Sequence, residues 1–158
     1  TEDLEIARVV KDLGAEVVGR PKELASDTAA TISALQDVLK KIPAEMVVLL
    51  QCTSPVREEG LIDRCIQKFL DSGADSVATG FMCNLFEWGT YNNTRRQDLK
   101  EWFHDDGNVY VVKAENILNG DIWGKTREHV LVSRDQTFEI DDPFDFWINE
   151  QILKKKLF

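Results

Sequence analysis

From Glu2 to Leu13 apolar side chains return at Leu4, Ala7, Val10 and Leu13, the spacing of one helical face, and Gly14 stands where a left-handed cap would close the helix. "AEVV" then reads as a short strand and "RPKELASD" as a loop, with Asp27 or Thr28 placed to cap the second helix. Ile32, Leu35, Leu39 and Ile42 mark the face of that helix, which Pro43 ends. "MVVLL" is apolar at every position, the pattern of a central strand of a parallel sheet covered on both faces. Ile62, Cys65, Ile66 and Phe69 outline a third helix that stops near "DSG", and "DSVATGF" is strand-like again. From Asn84 to Asp106 the period breaks into aromatic and charged residues, an excursion from the sheet. Regularity returns in the strand "NVYVVK", a short helix around "AENIL", the strand "HVLVS" and a last helix beginning after Asp142, whose "KKKLF" end places cations at the negative pole of the dipole. Alternation of this kind predicts an α/β protein: a doubly wound, mainly parallel sheet with helices on both faces.

Composition narrows the partners. A length of 158 residues, 43% hydrophobic, suits a single domain spanning 1–158. With 28 acidic and 19 basic residues the formal charge is -9, so no long-range field gathers nucleic acid, and an anionic ligand must be held locally. Cys52, Cys65 and Cys83 form no CxxC pair, which argues against a disulfide framework or a thiolate zinc site and for a reducing compartment. No apolar run approaches the ~18 residues of a membrane span, and the acidic start "TEDLEIARVV" is unlike a signal peptide. A cytoplasmic protein without a membrane partner is the expectation.

Three stretches could carry chemistry. "QCTSPVR" comes directly after "MVVLL", beyond the carboxyl end of a strand, where ligands lie in open α/β sheets. Gln51, Thr53 and Ser54 offer an amide and two hydroxyls on a turn stiffened by Pro55; they either read a polyol or cap the next helix. In "FEIDDPFDFW", Glu139 and Asp141 are two apart and would share one face of a strand, where Mg²⁺ suits a pair of hard-oxygen carboxylates. Asp142 before Pro143 fits a helix cap, and all four acids, Asp145 included, could equally form a solvated helix start. In "GRPKELASDTAAT", Arg20 could grip a phosphate or simply face solvent. With His104 and His129 the only histidines, and no HExxH, GxSxG, Walker A or GxGxxG, hydrolytic and dinucleotide chemistries have little support.

Taken together and in order, these stretches resemble the acylneuraminate cytidylyltransferase family, which makes CMP-sialic acids and related CMP-activated keto sugars. "RPKELASDTAAT" looks like its R-P-x-x-L-A-x-D-x-A segment, "LLQCTSPVR" like L-Q-P-T-S-P-L-R, "RRQDL" and "DGNVYVVK" like R-Q-D-L-P and N-G-A-I-Y, and "FEIDDPFDF" like D-I-D-x-x-x-D-F. The resemblance implies nucleotide contacts at Arg20, Ala29 and Thr31, and sugar contacts at Gln51, Thr53, Ser54, Arg96 and Tyr110. It implies Mg²⁺ held by Glu139 and Asp141 as the catalytic carboxylates. The implied reaction joins CTP to a 2-keto acid sugar, releasing pyrophosphate, and the excursion at 84–106 becomes a homodimerisation element. Tyr110 and Trp123 would pack against the sugar. Cys52 replaces the family's usual proline, Glu139 its aspartate, and Asp106 the asparagine before glycine. The family's opening loop, A-R-x-G-S-K-x-x-x-x-K-N, and the strand before it have no counterpart in these residues, so the resemblance implies an incomplete part of a longer domain. The rival readings are a non-catalytic sugar- or nucleotide-binding module and a metal-dependent glycosyltransferase.

Overall fold

The computed structural model describes residues 1–26, 28–91 and 93–156; Asp27, a predicted cap, lies outside them. Among the described residues the elements run α1 (Leu4–Asp12), α2 (Thr31–Lys41), β1 (Met46–Leu49), α3 (Leu61–Ser72), β2 (Ser76–Cys83), β3 (Trp102–Lys113), α4 (Ala114–Leu118), β4 (Arg127–Leu131) and α5 (Pro143–Lys156). They fall into two compact units, Thr1–Met46 with Lys113–Ile122, and Val47–Val112 with Trp123–Phe158. No helix among the described residues is long and apolar enough to cross a membrane.

In the first unit α1 starts where Asp3 Oδ1 accepts from Glu5 N at 2.8 Å and Ile6 N at 2.9 Å, a cap whose loss costs about 1 kcal/mol. The predicted strand "AEVV" is not one. Val18 O accepts from the Thr1 ammonium and Arg20 N donates to Thr1 O, so this stretch bonds to the chain start instead of a neighbouring strand. Ala30, without a side-chain bond, is the residue before α2, so Thr28 does not stand at the cap position. The α2 face is anchored through buried Leu39 and a bond from Gln36 Nε2 to Ile117 O at 2.8 Å on α4.

The second unit carries nearly all of a four-stranded sheet of order β1-β3-β2-β4. The sheet is mixed, not mainly parallel: β2 runs antiparallel to β3 and parallel to β4. The reason lies in the excursion. β3 begins at Trp102, so the predicted 84–106 segment contributes its last residues to a strand that folds back on β2 without the helical crossover a parallel pair requires. β1 stands at the end of the strand order and is half-buried, not central; apolarity on both faces permits a central place but does not impose one. α3 buries Leu61, Cys65 and Phe69, one stripe at helical spacing, and packs on β2 and β4. Burying each such large side chain contributes about 1.5–3 kcal/mol.

One irregularity of the sheet positions the chemistry. Ala78 pairs with Tyr110 and Gly80 with Asp105, so residues 106–109 of β3 face a single residue, Thr79. At Gly80 a Cβ would lie 2.1 Å from His104 O, which is why the strands can close below this bulge only with glycine there.

Candidate active site

The bulge "DGNV" turns polar groups inward. Asp106, 2% exposed, accepts from Thr79 Oγ1 at 2.6 Å and from Asn108 N at 3.1 Å, while Val109 N donates to Thr79 Oγ1 at 2.9 Å. The loop after β1 is bound to this bulge. Ser54 Oγ donates to Asp106 O at 3.2 Å, Asn108 Nδ2 to Val56 O at 2.7 Å, and Arg57 Nη2 to Asn108 O at 3.1 Å and Gln51 O at 3.2 Å. Glu58 N completes the set, donating to Gln136 Oε1 at 2.9 Å. Of the polar side chains that follow this apolar strand, Ser54 and Arg57 hold the turn by hydrogen bonds, while Val56, 1% exposed, packs into the core. Ser54 is buried and its hydroxyl is occupied, whereas Gln51 and Thr53 are half-buried.

The acidic pair reaches the same loop by another route. Residues 137–140 form no strand; one backbone bond, Ile140 N to Thr53 O at 2.8 Å, fastens the stretch between Glu139 and Asp141. Gly107, at φ 69°, lies under the Glu139 carboxylate so closely that a Cβ would sit 1.9 Å from Oε1 and 3.1 Å from Ser54 Oγ. Partial burial, with Asp141, Asp105 and Asp106 nearby, raises the Glu139 carboxyl above the usual range. Burial raises Asp106 as well, against the lowering effect of its Thr79 bond. Burial and a 2.5 Å bond to Asp105 Oδ2 raise the Tyr110 hydroxyl. Asp142 and Asp145 do what a helix start asks: Asp142 Oδ1 accepts from Phe144 N and Asp145 N at 2.8 and 2.9 Å, and Asp145 Oδ2 accepts from Asp141 N and Asp142 N at 3.1 and 3.2 Å.

The remaining sequence candidates are distributed. Tyr110 lines a cavity of about 320 Å³ with Trp123, Phe103, His129 and Asp105, its ring 5.1 Å from that of Trp123. Arg96 lines a separate cavity of about 540 Å³, so the two predicted sugar contacts do not share one chamber. Asp141 borders a shallow hollow with Pro143 and Phe146. In the first unit, Arg20 is held by Glu2 Oε2 at 2.9 and 2.7 Å, Ala29 N donates to Ser26 O at 2.9 Å, and Thr31 opens α2. Sequence reasoning missed Asp105, Asn108 and Gln136. Only the acids flanking glycine in "DDGN" offered a signal, since a glycine between polar residues inside a strand marks a bulge.

Known proteins share both the sequence pattern and the fold. The chain is 26% identical over 178 residues to the post-translational flagellin modification protein B of Campylobacter coli, covering 99% of this chain and 76% of that protein. It is 22% identical to N-acylneuraminate cytidylyltransferase A of Danio rerio and 25% identical to the N-acylneuraminate cytidylyltransferase of Streptococcus agalactiae serotype III; it spans 39% of the length of each. The solved CMP:2-keto-3-deoxy-manno-octonic acid synthetase complexed with CTP shares the fold, with a TM-score of 0.71 at 11% identity over 98% of this chain and 78% of that one. The 4-diphosphocytidyl-2C-methyl-D-erythritol synthase of Anaerococcus prevotii has a TM-score of 0.58 at 10% identity, over 96% of this chain and 78% of that one. Residues 1–120 match the family model described as "Cytidylyltransferase", and the chain belongs to that family.

Proposed function

We propose that the protein of which this chain is part activates a 2-keto acid sugar of the sialic acid type with CTP. The anomeric hydroxyl attacks the α-phosphate, the bond to the β-phosphate oxygen breaks, and pyrophosphate leaves with the electron pair. The observation that carries this reading is the Thr53–Ile140 backbone bond together with Glu139 over Gly107, which seats an acidic pair against a polar loop. Membership of the cytidylyltransferase family and relatives named N-acylneuraminate cytidylyltransferase support it.

The donor set fits Mg²⁺. Glu139 and Asp141 supply hard oxygens; burial first, and then repulsion from Asp141, Asp105 and Asp106, raises the Glu139 carboxyl, and a divalent cation would relieve the repulsive part. No group of three or more His, Cys, Asp or Glu side chains among the described residues forms a closed cage, and Mg²⁺ commonly takes only one or two carboxylates plus substrate phosphates. When bound, the ion supplies charge stabilisation at the phosphoryl oxygens. Gln51 and Thr53 then orient sugar hydroxyls, while Ser54, buried, holds the loop to Asp106 O. Tyr110 and Trp123 present aromatic surface to the sugar. Arg20, Ala29 and Thr31 are assigned to the nucleotide.

A homodimer belongs to the same reading. Between β2 and β3, Leu85, Phe86, Trp88 and Tyr91 expose at least 45% of their surface, Trp88 as much as 96%, and contiguous exposed aromatics favour an interface; a monomer in sedimentation at micromolar concentration overturns the dimer. For the chemistry, Asp141→Asn should abolish Mg²⁺-dependent CMP-sugar formation, followed as pyrophosphate release. The melting temperature should not fall, because the Asp141 side chain is exposed. Retained activity removes the metal assignment.

A further inference from the structure

The polar groups around the Tyr110–Trp123 cavity are arranged to accept hydrogen bonds. Tyr110, 6% exposed, donates its hydroxyl proton to Asp105 Oδ2 at 2.5 Å. A carboxylate has no proton to give in return, so the phenolic oxygen is left with lone pairs alone. Ser76, in the same lining, repeats the arrangement: its Oγ donates to Trp123 O at 2.7 Å, which leaves that oxygen an acceptor too. Glu128 is a further carboxylate of the lining, paired with Lys68 Nζ at 3.0 Å, and its oxygens only accept. Arg127 is the guanidinium of this wall, and its Nε and Nη2 already donate to Gly124 O at 3.3 and 3.1 Å.

Asp105 decides the polarity of Tyr110, and the bulge makes their meeting possible. Five residues apart on a regular strand, the two would lie about 17 Å apart and on opposite faces. Here Tyr110 pairs with Ala78 and Asp105 with Gly80, so taking residues 106–109 out of the ladder brings the hydroxyl onto the carboxylate. Burial first, and then the bond to Asp105 and its charge, hold the Tyr110 hydroxyl above its ordinary range, so the phenol keeps its proton. Without Asp105 the hydroxyl could turn and donate as readily as accept.

We propose that Asp105 is a positioning residue that determines specificity: by fixing the Tyr110 hydroxyl as an acceptor, it makes this cavity select a sugar substituent that donates an N–H or O–H bond. The inference rests on the reading that Tyr110 and Trp123 face the sugar. The test compares N-acetylneuraminic acid with its N-methylated amide and with analogues in which one hydroxyl other than the anomeric one is replaced by fluorine, which is of similar size and cannot donate. The proteins are the full-length wild type, Asp105→Ala, Asp105→Asn and Tyr110→Phe; Asp105 is exposed, so its variants should keep the wild-type melting temperature within a few degrees. For the analogue altered where the sugar meets the cavity, wild type should show a KM about 10-fold higher with kcat little changed. Asp105→Ala and Tyr110→Phe should each erase that difference, while Asp105→Asn, which keeps an acceptor oxygen, should retain part of it. A wild type indifferent to every replacement, or a difference that survives in Asp105→Ala, overturns the inference. If wild type forms no CMP-sugar from any of these compounds, the activity reading fails by itself. Calorimetric titration of the same compounds into wild type and Asp105→Ala then decides the specificity separately: weaker binding of one analogue in wild type alone sustains it, and equal binding, or none, refutes it.

Discussion

Gly107→Ala probes the junction of loop, bulge and acid with the smallest possible change. The new methyl carbon would lie 1.9 Å from Glu139 Oε1, whereas an ordinary contact needs about 3.5 Å, so the carboxylate must retreat by roughly 1.6 Å. The backbone at φ 69° adds its own cost, about 1–2 kcal/mol for a residue with a Cβ in the left-handed region. Stability should therefore fall by at least that amount, lowering the melting temperature by about 2–8 °C at 2–4 °C per kcal/mol. On the proposed catalytic role of Glu139, a displacement above 1 Å at its carboxylate should lower turnover on the order of 10²-fold. Urea unfolding of wild type, Gly107→Ala, Glu139→Ala and the double variant separates the two causes. Removing the Glu139 side chain should cut the cost of Gly107→Ala to the backbone part alone. An identical cost in both backgrounds, or full activity in Gly107→Ala, would refute the placement of Glu139 over this glycine.

Two further changes test the support beneath the site. Burial raises the Asp106 carboxyl, so the folded chain holds that proton more readily than the unfolded one. Its stabilising share is complete below the ordinary value of about 3.9 and is lost as pH rises through the raised folded value. The stability of wild type minus that of Asp106→Asn should thus decline as pH rises above about 4 in urea titrations; a flat difference contradicts the assignment. Arg57→Met removes the donor that bridges Asn108 O and Gln51 O and should cost about 2–3 kcal/mol, since bonds from a charged donor contribute about 1.5–3 each and the site is only half-buried. An unchanged unfolding midpoint would mean that the loop is held by other contacts.

The helices were legible because their signals are local. Cys65 and Phe69 at helical spacing, Gly14 after Leu13 and Asp142 before Pro143 each state a buried face, an end or a start within a few residues. The sheet was less legible. "MVVLL" announces an apolar strand but not its place in the order, and "AEVV" has strand composition yet bonds to Thr1. Antiparallel pairing of β3 depended on where the excursion ended, and "EWFHDD" carries too much charge to be recognised as strand until its partner in β2 is known. The resemblance implied one site for Glu139 and the loop, and their meeting across Ile140 and Gly107 comes from tertiary contacts no spacing contains.

The local costs of this unit gather in residues 106–109. Asp106 buries a carboxyl with one oxygen lacking a partner, Asn108 leaves its Oδ1 without one among the described residues, Gly107 is left-handed, and all three interrupt the ladder with β2. Each departure costs stability, and each is over-determined by a bond from elsewhere: Thr79 to Asp106, Ser54 to Asp106 O, Arg57 to Asn108 O. The benefit of concentrating them is geometric. The 51–57 loop is hydrogen-bonded to this one bulge, the carboxylate of Glu139 lies against its glycine, and the Tyr110–Asp105 pair flanks it in the strand. A regular ladder here would be more stable, but it would leave no inward-facing oxygen for Ser54 to hold and no glycine beneath Glu139.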